Sequence, residues 1–354
     1  MKNICIGGYA GCGNYGDDAI LQAIIEGLTQ NGVPRKNITA LTGKPKWDAR
    51  RFGVRCAGRM NPAAVLRALR RADVFVCGGG TLMQNRTGER SLSYYLGLLR
   101  LARACGCKTI CYGGAGPLEG AFARRRAAEE LNRCDLILMR DEASAHLLCE
   151  IGVSEAKIRV GADPAFLLPD PPPARAAFLR KLLTGAQNVP LFCVCPNGTP
   201  KESATPAWLS AFGRTASPPT PVFLAFDRKK DAFRIDALQI LGGGTPYVPR
   251  DVSELLALVS AARFVVSARL HPLIFAVRAG VPCLGISDGD PKLPAFCRAA
   301  NVPYLPASAS ASDVRDAAAS LSALPRPCPA AFRKNAEKDL AILSKIVYNK
   351  GEVL

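Results

Sequence analysis

The chain has 354 residues, of which 49% are apolar and 21% are charged. This length suits two domains of ordinary size, and this composition excludes a disordered protein. The apolar runs are too short to span a bilayer, and the first residues lead directly into a predicted strand, so the sequence predicts neither a membrane span nor a signal peptide. We therefore expect a globular, cytoplasmic protein.

The formal net charge is +17, with the basic residues dispersed along the chain. Nucleic acid, an anionic small substrate or an anionic lipid surface would each explain this excess on charge alone. Because the chain has neither a basic tail nor a stripe of aromatic and basic residues, we expect no nucleic-acid partner.

Fourteen cysteines are present, and several lie inside apolar predicted strands. Their spacing and the lack of nearby histidines do not fit a zinc site. The sequence therefore predicts reduced core cysteines and no metal. The cysteines inside predicted strands are Cys5, Cys77, Cys111 and Cys193.

A glycine-rich loop joins the first predicted strand, Asn3 to Gly8, to a predicted helix from Asp17 to Leu28 with one apolar face. The loop contains the G-x-G-x-x-G spacing of a dinucleotide-binding site. The second strand lacks the acidic residue that would hold a ribose, and Asp17 and Asp18 would repel a pyrophosphate at the helix start. These features disfavour NAD binding.

Strands and helices then alternate, and glycine recurs where strands are predicted to end. The strand Asp73 to Cys77 is predicted to end in Gly78–Gly79–Gly80–Thr81, and the strand Lys108 to Tyr112 in a second glycine run. Such glycines would expose backbone amides to an anion, and a tight strand–helix crossing is the alternative explanation. The alternation predicts a doubly wound, mostly parallel sheet.

A proline run at residues 169–173 suits a stiff linker between domains. A second alternating set follows, and a closing helix is predicted from Ala331 to Tyr348. We predict two Rossmann-like, doubly wound α/β domains that face a cleft, over residues 1–168 and 174–325, with a helical segment over 326–354.

The most informative stretch runs from Ser267 to Leu273, where a predicted strand meets a helix. It holds Arg269 and His271, and the chain has only two histidines. In open α/β sheets, ligands bind at the carboxyl ends of the strands. The competing interpretation is a polar turn whose side chains only form hydrogen bonds to backbone groups.

In their order along the chain, these motifs resemble those of the polysaccharide pyruvyl transferases, and within that family the CsaB type. The resemblance covers nearly the whole chain. The matching stretches are Gly8–Tyr9, Gly16 to Ile20, Gly78 to Leu82 with Gln84, Ser91 to Tyr95, Gly116–Pro117, Arg140 to Ser144, Asp163 to Ala165, Arg269 to His271, Ala279 to Pro282, and Asp290 to Lys292.

The resemblance implies a glycosyltransferase-B-like fold and the transfer of pyruvate from phosphoenolpyruvate to a sugar as a ketal, without a cofactor. It further implies an acceptor similar to an N-acetylmannosamine unit of a lipid-linked cell-wall precursor. A lipid-linked acceptor would bring the enzyme into peripheral contact with the inner membrane face. A basic protein surface would strengthen this contact, because that face is anionic.

The chain departs from the family pattern on the expected acceptor side. Cys195–Pro196 replaces an Arg-Pro pair, Leu224–Ala225–Phe226 replaces a more polar stretch, and Pro272 follows the histidine where alanine is usual. These differences affect the expected identity of the acceptor sugar more than the expected transfer of pyruvate.

The resemblance assigns catalytic roles to Arg140, Arg269 and His271. Arginine suits the carboxylate and phosphate of phosphoenolpyruvate. A histidine suits the proton transfers of ketal formation, but the sequence does not separate that role from a contact to phosphate. For Arg140, a salt bridge at the helix start is the alternative. The residues assigned to substrate binding are Gly13, Asn14, Gly16, Asp17, Asp18, Gly79, Gly80, Thr81, Gln84, Leu270, Asp231 and Lys292.

Each acidic or basic member of this set has a second interpretation. Asp17 or Asp18 would orient or deprotonate an acceptor hydroxyl, while one of the two caps the helix instead. Asp231 would contact acceptor hydroxyls or form a surface salt bridge. Lys292 would neutralise phosphate or remain solvated.

Three other functions compete with pyruvyl transfer. A sugar-nucleotide-dependent glycosyltransferase of the same architecture would use the same glycine loops and arginines. A glycan-binding relative without catalysis is the second alternative, and nucleic-acid binding, which rests only on charge, is the third.

Overall fold

The computed structural model describes residues 2–86, 88–185, 192–195, 221–228, 231, 245–287, 292–306, 308–321 and 323–348. Internal contacts divide the chain into two units, one formed by Met1–Leu168 with Ala331–Leu354 and the other by Pro169–Ala330. The proline run begins at this boundary. Its last residue, Pro173, already starts a helix, a position that proline favours because it needs no N–H there.

The first unit is a parallel sheet of seven strands with helices around it. The strands are β1 (Ile4–Gly7), β2 (Ile38–Thr42), β3 (Arg55–Gly58), β4 (Val74–Met83), β5 (Lys108–Ala115), β6 (Leu136–Met139) and β7 (Ile158–Val160). The helices are α1 (Tyr15–Gln30), α2 (Pro45–Phe52), α3 (Pro62–Arg70), α4 (Glu89–Ala104), α5 (Ala121–Leu131) and α6 (Glu142–Glu150). The strand order is β3-β2-β1-β4-β5-β6-β7, so the direction of winding reverses between β1 and β4.

The second unit repeats this plan with six strands. The strands are β8 (Phe192–Cys195), β9 (Pro221–Leu224), β10 (Thr245–Tyr247), β11 (Phe264–Ser267), β12 (Cys283–Ile286) and β13 (Tyr304–Leu305). The described helices are α7 (Pro173–Thr184), α8 (Val252–Ala261), α9 (Leu270–Arg278), α10 (Lys292–Ala299) and α11 (Ala311–Ser320). The order β10-β9-β8-β11-β12-β13 places the reversal between β8 and β11, and the prediction of two doubly wound α/β domains is confirmed.

Strand side chains alternate between two apolar clusters on the faces of the first sheet. Ile4 and Ile6 join one cluster and Cys5 the other. The apolar face predicted for α1 is buried in the first of these clusters, as its period requires. The four cysteines predicted to be core residues are buried, and all fourteen cysteines lie in the described ranges with no disulfide among them.

The closing helix α12 (Ala330–Tyr348) packs on the first unit, although the sequence set residues 326–354 apart as a terminal segment. Its Leu340, Leu343 and Val347 enter the same core cluster as α1. Asp339 accepts a hydrogen bond from the Ala162 N–H at 3.3 Å. This contact ties the end of the chain to the loop after β7.

Strands β4 and β5 run beyond the ends predicted for them. The sequence predicted that they stop at glycine runs, but β4 continues to Met83 and β5 to Ala115, with register shifts around Thr81. Gly113 has a φ of +146°, and a Cβ there would lie 2.2 Å from the Gly79 carbonyl oxygen. The predicted ends were therefore wrong, because the glycines serve an irregular, close strand pairing rather than a turn.

Across the parts of the chain that the structure describes, none of the helices is both long and apolar enough to cross a bilayer.

Candidate functional site

The glycine loop of the first unit lies at the carboxyl end of β1, where the winding of the sheet reverses. Gly11 and Gly13 have φ angles of +75° and +108°, which favour glycine. The loop ends at Asn14, whose side chain caps α1 by accepting the Gly16 N–H at 2.8 Å. Reversal points of this kind form the ligand crevice of doubly wound sheets.

The two aspartates at the start of α1 have different roles. Asp18 accepts the Gly11 N–H at 2.8 Å and pairs with Arg51 at 2.6 Å, so both of its oxygens hold the loop in place. Asp17 accepts the Gly80 N–H at 3.1 Å through Oδ1. Its other oxygen has no hydrogen-bond partner among the described residues. Asp17 therefore keeps an acceptor available for a ligand, and Asp18 does not.

Asp17 is also unusually basic for a carboxylate. Burial raises its pKa to about 6, and the nearby Asp18 adds to this effect, while the Gly80 amide and Arg140 oppose it. Asp17 is therefore ionised at neutral pH but close enough to its pKa to exchange a proton.

Arg140 is the centre of a buried ionic network after β6. Its Nη1 lies 2.9 Å from Asp163, its Nε 3.4 Å from Asp141, and its Nη2 donates to the Thr81 hydroxyl at 3.2 Å. Burial lowers its pKa, but the two carboxylates outweigh this and raise it above the ordinary value. The structure thus contains the salt bridge that was the alternative role for Arg140. A contact of Arg140 with phosphoenolpyruvate stays a prediction.

The remaining sites predicted in the first unit lie on β4 and at its end. Gly79, Gly80 and Thr81 are strand residues rather than loop residues, and Gln84 follows the strand and is buried. Gly80 directs its amide to Asp17, so this amide serves a carboxylate of the chain rather than an external anion.

A cluster that the sequence did not predict lies beside the glycine loop. The guanidinium of Arg59, between β3 and α3, lies 5.1 Å from the ring centre of Tyr9, 4.8 Å from that of Tyr94 and 5.8 Å from that of Tyr95. Nη2 donates to the Tyr95 hydroxyl at 3.1 Å, and Nη1 approaches the Cys12 sulfur at 3.6 Å. Tyr94 and Tyr95 lie in a motif stretch, but no local pattern links Arg59 to them.

In the second unit, the turn from β11 to α9 is held by Ser267. Its hydroxyl accepts the Arg269 N–H at 2.9 Å and donates to the Arg269 carbonyl at 2.8 Å. Arg269 occupies the N-cap position of α9, followed by Leu270 and His271 in the first turn. Pro272 is accommodated there because a first-turn residue needs no N–H partner.

Asp231 is buried and pairs with Arg269, with 2.5 Å between Oδ1 and Nη2. Its Oδ2 accepts the N–H groups of Phe226 and Asp227 at 2.9 and 2.7 Å. The sequence assigned Asp231 to acceptor hydroxyls or to a surface salt bridge. The structure shows a salt bridge that is buried, with Arg269 as its partner, so Asp231 orients this guanidinium. A contact with acceptor hydroxyls stays a prediction.

The other predicted or altered positions of the second unit have simpler surroundings. Lys292 is the first residue of α10, and residues 288–291 of its predicted loop lie outside the described part. Cys195 is buried at the end of β8, where its carbonyl accepts the Ala268 N–H at 3.1 Å. Pro196 also lies outside the described residues. No group of three or more metal-binding side chains occurs within the described ranges.

Comparison with known proteins identifies both a family and a fold. The model of the family described as polysaccharide pyruvyl transferase matches residues 14–290. No curated protein matches the chain by sequence.

Solved structures are similar over nearly the whole chain. The UDP-GlcNAc 2-epimerase from Methanocaldococcus jannaschii has a TM-score of 0.67 at 14% identity, covering 98% of this chain and 100% of its own. A putative UDP-N-acetylglucosamine 2-epimerase from Listeria monocytogenes has a TM-score of 0.67 at 10% identity, with coverages of 100% and 98%. HepE from Anabaena, in complex with UDP-glucose, has a TM-score of 0.62 at 11% identity, covering 99% of this chain and 96% of its own. The fold is therefore that of GT-B glycosyltransferases and these epimerases.

Proposed function

Because this chain belongs to the polysaccharide pyruvyl transferase family, we propose that it transfers pyruvate from phosphoenolpyruvate onto a sugar of a surface or cell-wall glycan. The oxygens of two sugar hydroxyls bond to the central carbon of the donor, and the bond between that carbon and the phosphate oxygen breaks. One hydroxyl proton ends on the methylene carbon, which becomes a methyl group, and the other ends on the departing phosphate. The products are a cyclic ketal and inorganic phosphate.

The observation that carries the proposal is the arginine turn of the second unit. Arg269 lies at the carboxyl edge of the sheet, at the start of α9, and Asp231 holds its Nη2 at 2.5 Å. A guanidinium held in one orientation suits a carboxylate or phosphate, and the amides of the following helix start also favour an anion. Phosphoenolpyruvate carries both of these anionic groups.

His271 follows Arg269 by two residues in the same first turn. We assign it either to proton transfer to the methylene carbon or to donation of a hydrogen bond to the phosphate. The two roles differ in their pH dependence, because an acid must be protonated to act while a bound neutral imidazole already has one N–H to donate.

The finer features of the acceptor belong to the proposal as well. Resemblance to the CsaB type supports a lipid-linked precursor with an N-acetylmannosamine unit as the acceptor. The net charge of +17 would favour binding of the protein to an anionic membrane face. We propose this peripheral location together with the acceptor.

The donor is tested by thermal unfolding with phosphoenolpyruvate, since a ligand that binds only the folded protein raises its stability. Phosphoenolpyruvate should stabilise the wild type, and Arg269→Met should abolish the stabilisation. Reaction with candidate lipid-linked glycans, read by mass for an added pyruvyl group, then tests the transfer. Wild-type turnover by His271→Ala would exclude either role for the histidine.

A UDP-sugar-dependent glycosyltransferase is the second candidate, favoured by a fold shared with a protein whose structure contains UDP-glucose. Stabilisation by a UDP-sugar, with none by phosphoenolpyruvate, would replace the first proposal by this one.

A further inference from the structure

The cluster beside the glycine loop has no role in donor binding as proposed above. We define the Arg59 cluster as Arg59, Tyr9, Cys12, Tyr94 and Tyr95. Tyr94 and Tyr95 pack edge to face at 5.1 Å, and the Tyr94 hydroxyl donates to the Arg59 carbonyl at 2.7 Å. The cluster thus has a rigid inner part on α4, and Tyr9 forms its outer wall with 39% of its surface exposed.

The charge of Arg59 is not neutralised by the described residues. They form no ion pair with it, and its Nε is buried without a hydrogen-bond partner among them. A buried donor without an acceptor destabilises the folded chain, and a ligand oxygen that accepts from it would remove that cost. Three aromatic rings and a thiol surround the guanidinium instead, an arrangement that leaves its positive charge available to an oxygen-rich ligand.

Asp17 belongs to the same surroundings. Burial raises the pKa of the Cys12 thiol, Arg59 lowers it and the charge of Asp17 raises it, so both charged groups act on this one side chain. Arg59 Nη1 reaches the sulfur of Cys12 on the glycine loop at 3.6 Å, and Asp17 lies in the first turn of α1, directly after that loop. The open oxygen of Asp17 and the charge of Arg59 therefore both border the glycine loop, which also carries the exposed ring of Tyr9.

The chemistry of these groups selects the class of ligand. A phosphate would gain from Arg59, but the carboxylates of Asp17 and Asp18 would repel it. A neutral polyhydroxylated ligand fits all the groups at once, because its hydroxyls donate to a carboxylate, its oxygens accept from a guanidinium, and its C–H face packs on an aromatic ring. Sugars are such ligands.

We propose that the Arg59 cluster and Asp17 form the binding subsite for the acceptor sugar, with Tyr9 packed against the sugar ring. Arg59 donates to a sugar oxygen, and Asp17 accepts a hydrogen bond from a hydroxyl. This inference rests on the proposed function, because it takes the ligand to be the glycan acceptor.

The test measures binding of methyl glycosides of N-acetylmannosamine, N-acetylglucosamine, galactose and glucose to the full chain by calorimetry or ligand-observed NMR. Tyr9→Ala should weaken the binding of the preferred glycoside by about tenfold. Tyr9→Phe, which keeps the ring, should retain it, and Arg59→Gln should lose it. Phe122→Ala is the matched control, since Phe122 is also an exposed ring with an arginine stacked on it, on helix α5.

Stabilisation by phosphoenolpyruvate is measured on the same variants, so that the donor and acceptor proposals fail separately. Tyr9→Ala should keep the wild-type response to phosphoenolpyruvate. A Tyr9-dependent glycoside affinity without any response to phosphoenolpyruvate would leave the subsite standing and remove the proposed donor. The subsite is overturned if Tyr9→Ala and Arg59→Gln bind the glycosides as the wild type does, or if the wild type binds inorganic phosphate and none of the glycosides.

Discussion

Replacing Asp231 with asparagine tests whether this carboxylate positions Arg269. Asp231 is 1% exposed and accepts hydrogen bonds from Arg269 Nη2 at 2.5 Å and from the N–H groups of Phe226 and Asp227 at 2.9 and 2.7 Å. Asparagine keeps the shape but replaces one oxygen by an NH₂ donor. At least one of the three partners then faces a donor, and the guanidinium loses its counter-charge.

We expect a sizeable loss of both folding stability and donor affinity in Asp231→Asn. A hydrogen bond to a charged group contributes about 1.5–3 kcal/mol, and breaking a buried ion pair costs about 3–5 kcal/mol. Because the Arg269 side chain keeps 16% exposure to water, we expect the lower end. Asp231→Asn should lower the free energy of unfolding by about 2–3 kcal/mol and weaken phosphoenolpyruvate binding by about tenfold.

Urea unfolding at neutral pH measures the stability change, and the thermal shift with phosphoenolpyruvate measures the binding change. Asp251→Asn is the matched control, because Asp251 caps α8 by accepting the Glu254 N–H at 2.9 Å and asparagine caps equally well. Unchanged stability and donor affinity in Asp231→Asn would refute the positioning role. A normal donor affinity with a raised KM for the glycan would instead support the assignment of Asp231 to the acceptor.

The other predictions concern pH and the glycines. Burial raises the pKa of Asp17 and of Asp339 from 3.8 to about 6, so the folded chain holds these protons to a higher pH than the unfolded chain does. Their contribution to stability is complete below about pH 4 and is lost as the pH rises through about 6, and Asp17→Asn or Asp339→Asn should flatten this decline in urea unfolding across that window. Gly113→Ala should destabilise the protein by about 2 kcal/mol or more, because its Cβ would lie 2.2 Å from the Gly79 carbonyl oxygen. Gly97→Ala should have the opposite effect and stabilise the protein by about 0.5–1 kcal/mol, because, apart from the adjacent residues and the backbone of its own helix, nothing lies within 4 Å of a Cβ at this helical glycine. Thermal unfolding that shows equal effects for the two glycine variants would contradict the close strand pairing.

Apolar periodicity predicted most of the helices and strands. The predicted strand ends were wrong at the glycine runs, because glycine occurs both in turns and in irregular strand pairings. The apolar spacing along α1 matches its buried face, because a helix repeats every 3.6 residues whatever it packs against. The glycines after Cys77 and Tyr112 looked like strand ends. Glycine permits both a turn and an irregular strand pairing, and only the neighbouring strand decides which one forms.

The candidate site was predicted as a set of residues but not as a set of contacts. Arg269 and His271 were found because an ordered series of motifs resembles a family. Asp17 and Asp18 were indistinguishable in the sequence, since adjacent acidic residues look alike until the helix turns one toward the Gly80 amide and the other toward Gly11 and Arg51.

The sequence by itself therefore determined the alternation of strands and helices, the buried faces and the family, because these depend on local spacing and on motif order. Only the tertiary structure decided which charges meet. Asp231 pairs with Arg269 38 residues away, and Arg59 bonds to Tyr95 36 residues away. Hydrogen bonds act over about 3 Å, so partners far apart in the chain are defined only when the sheet brings them together.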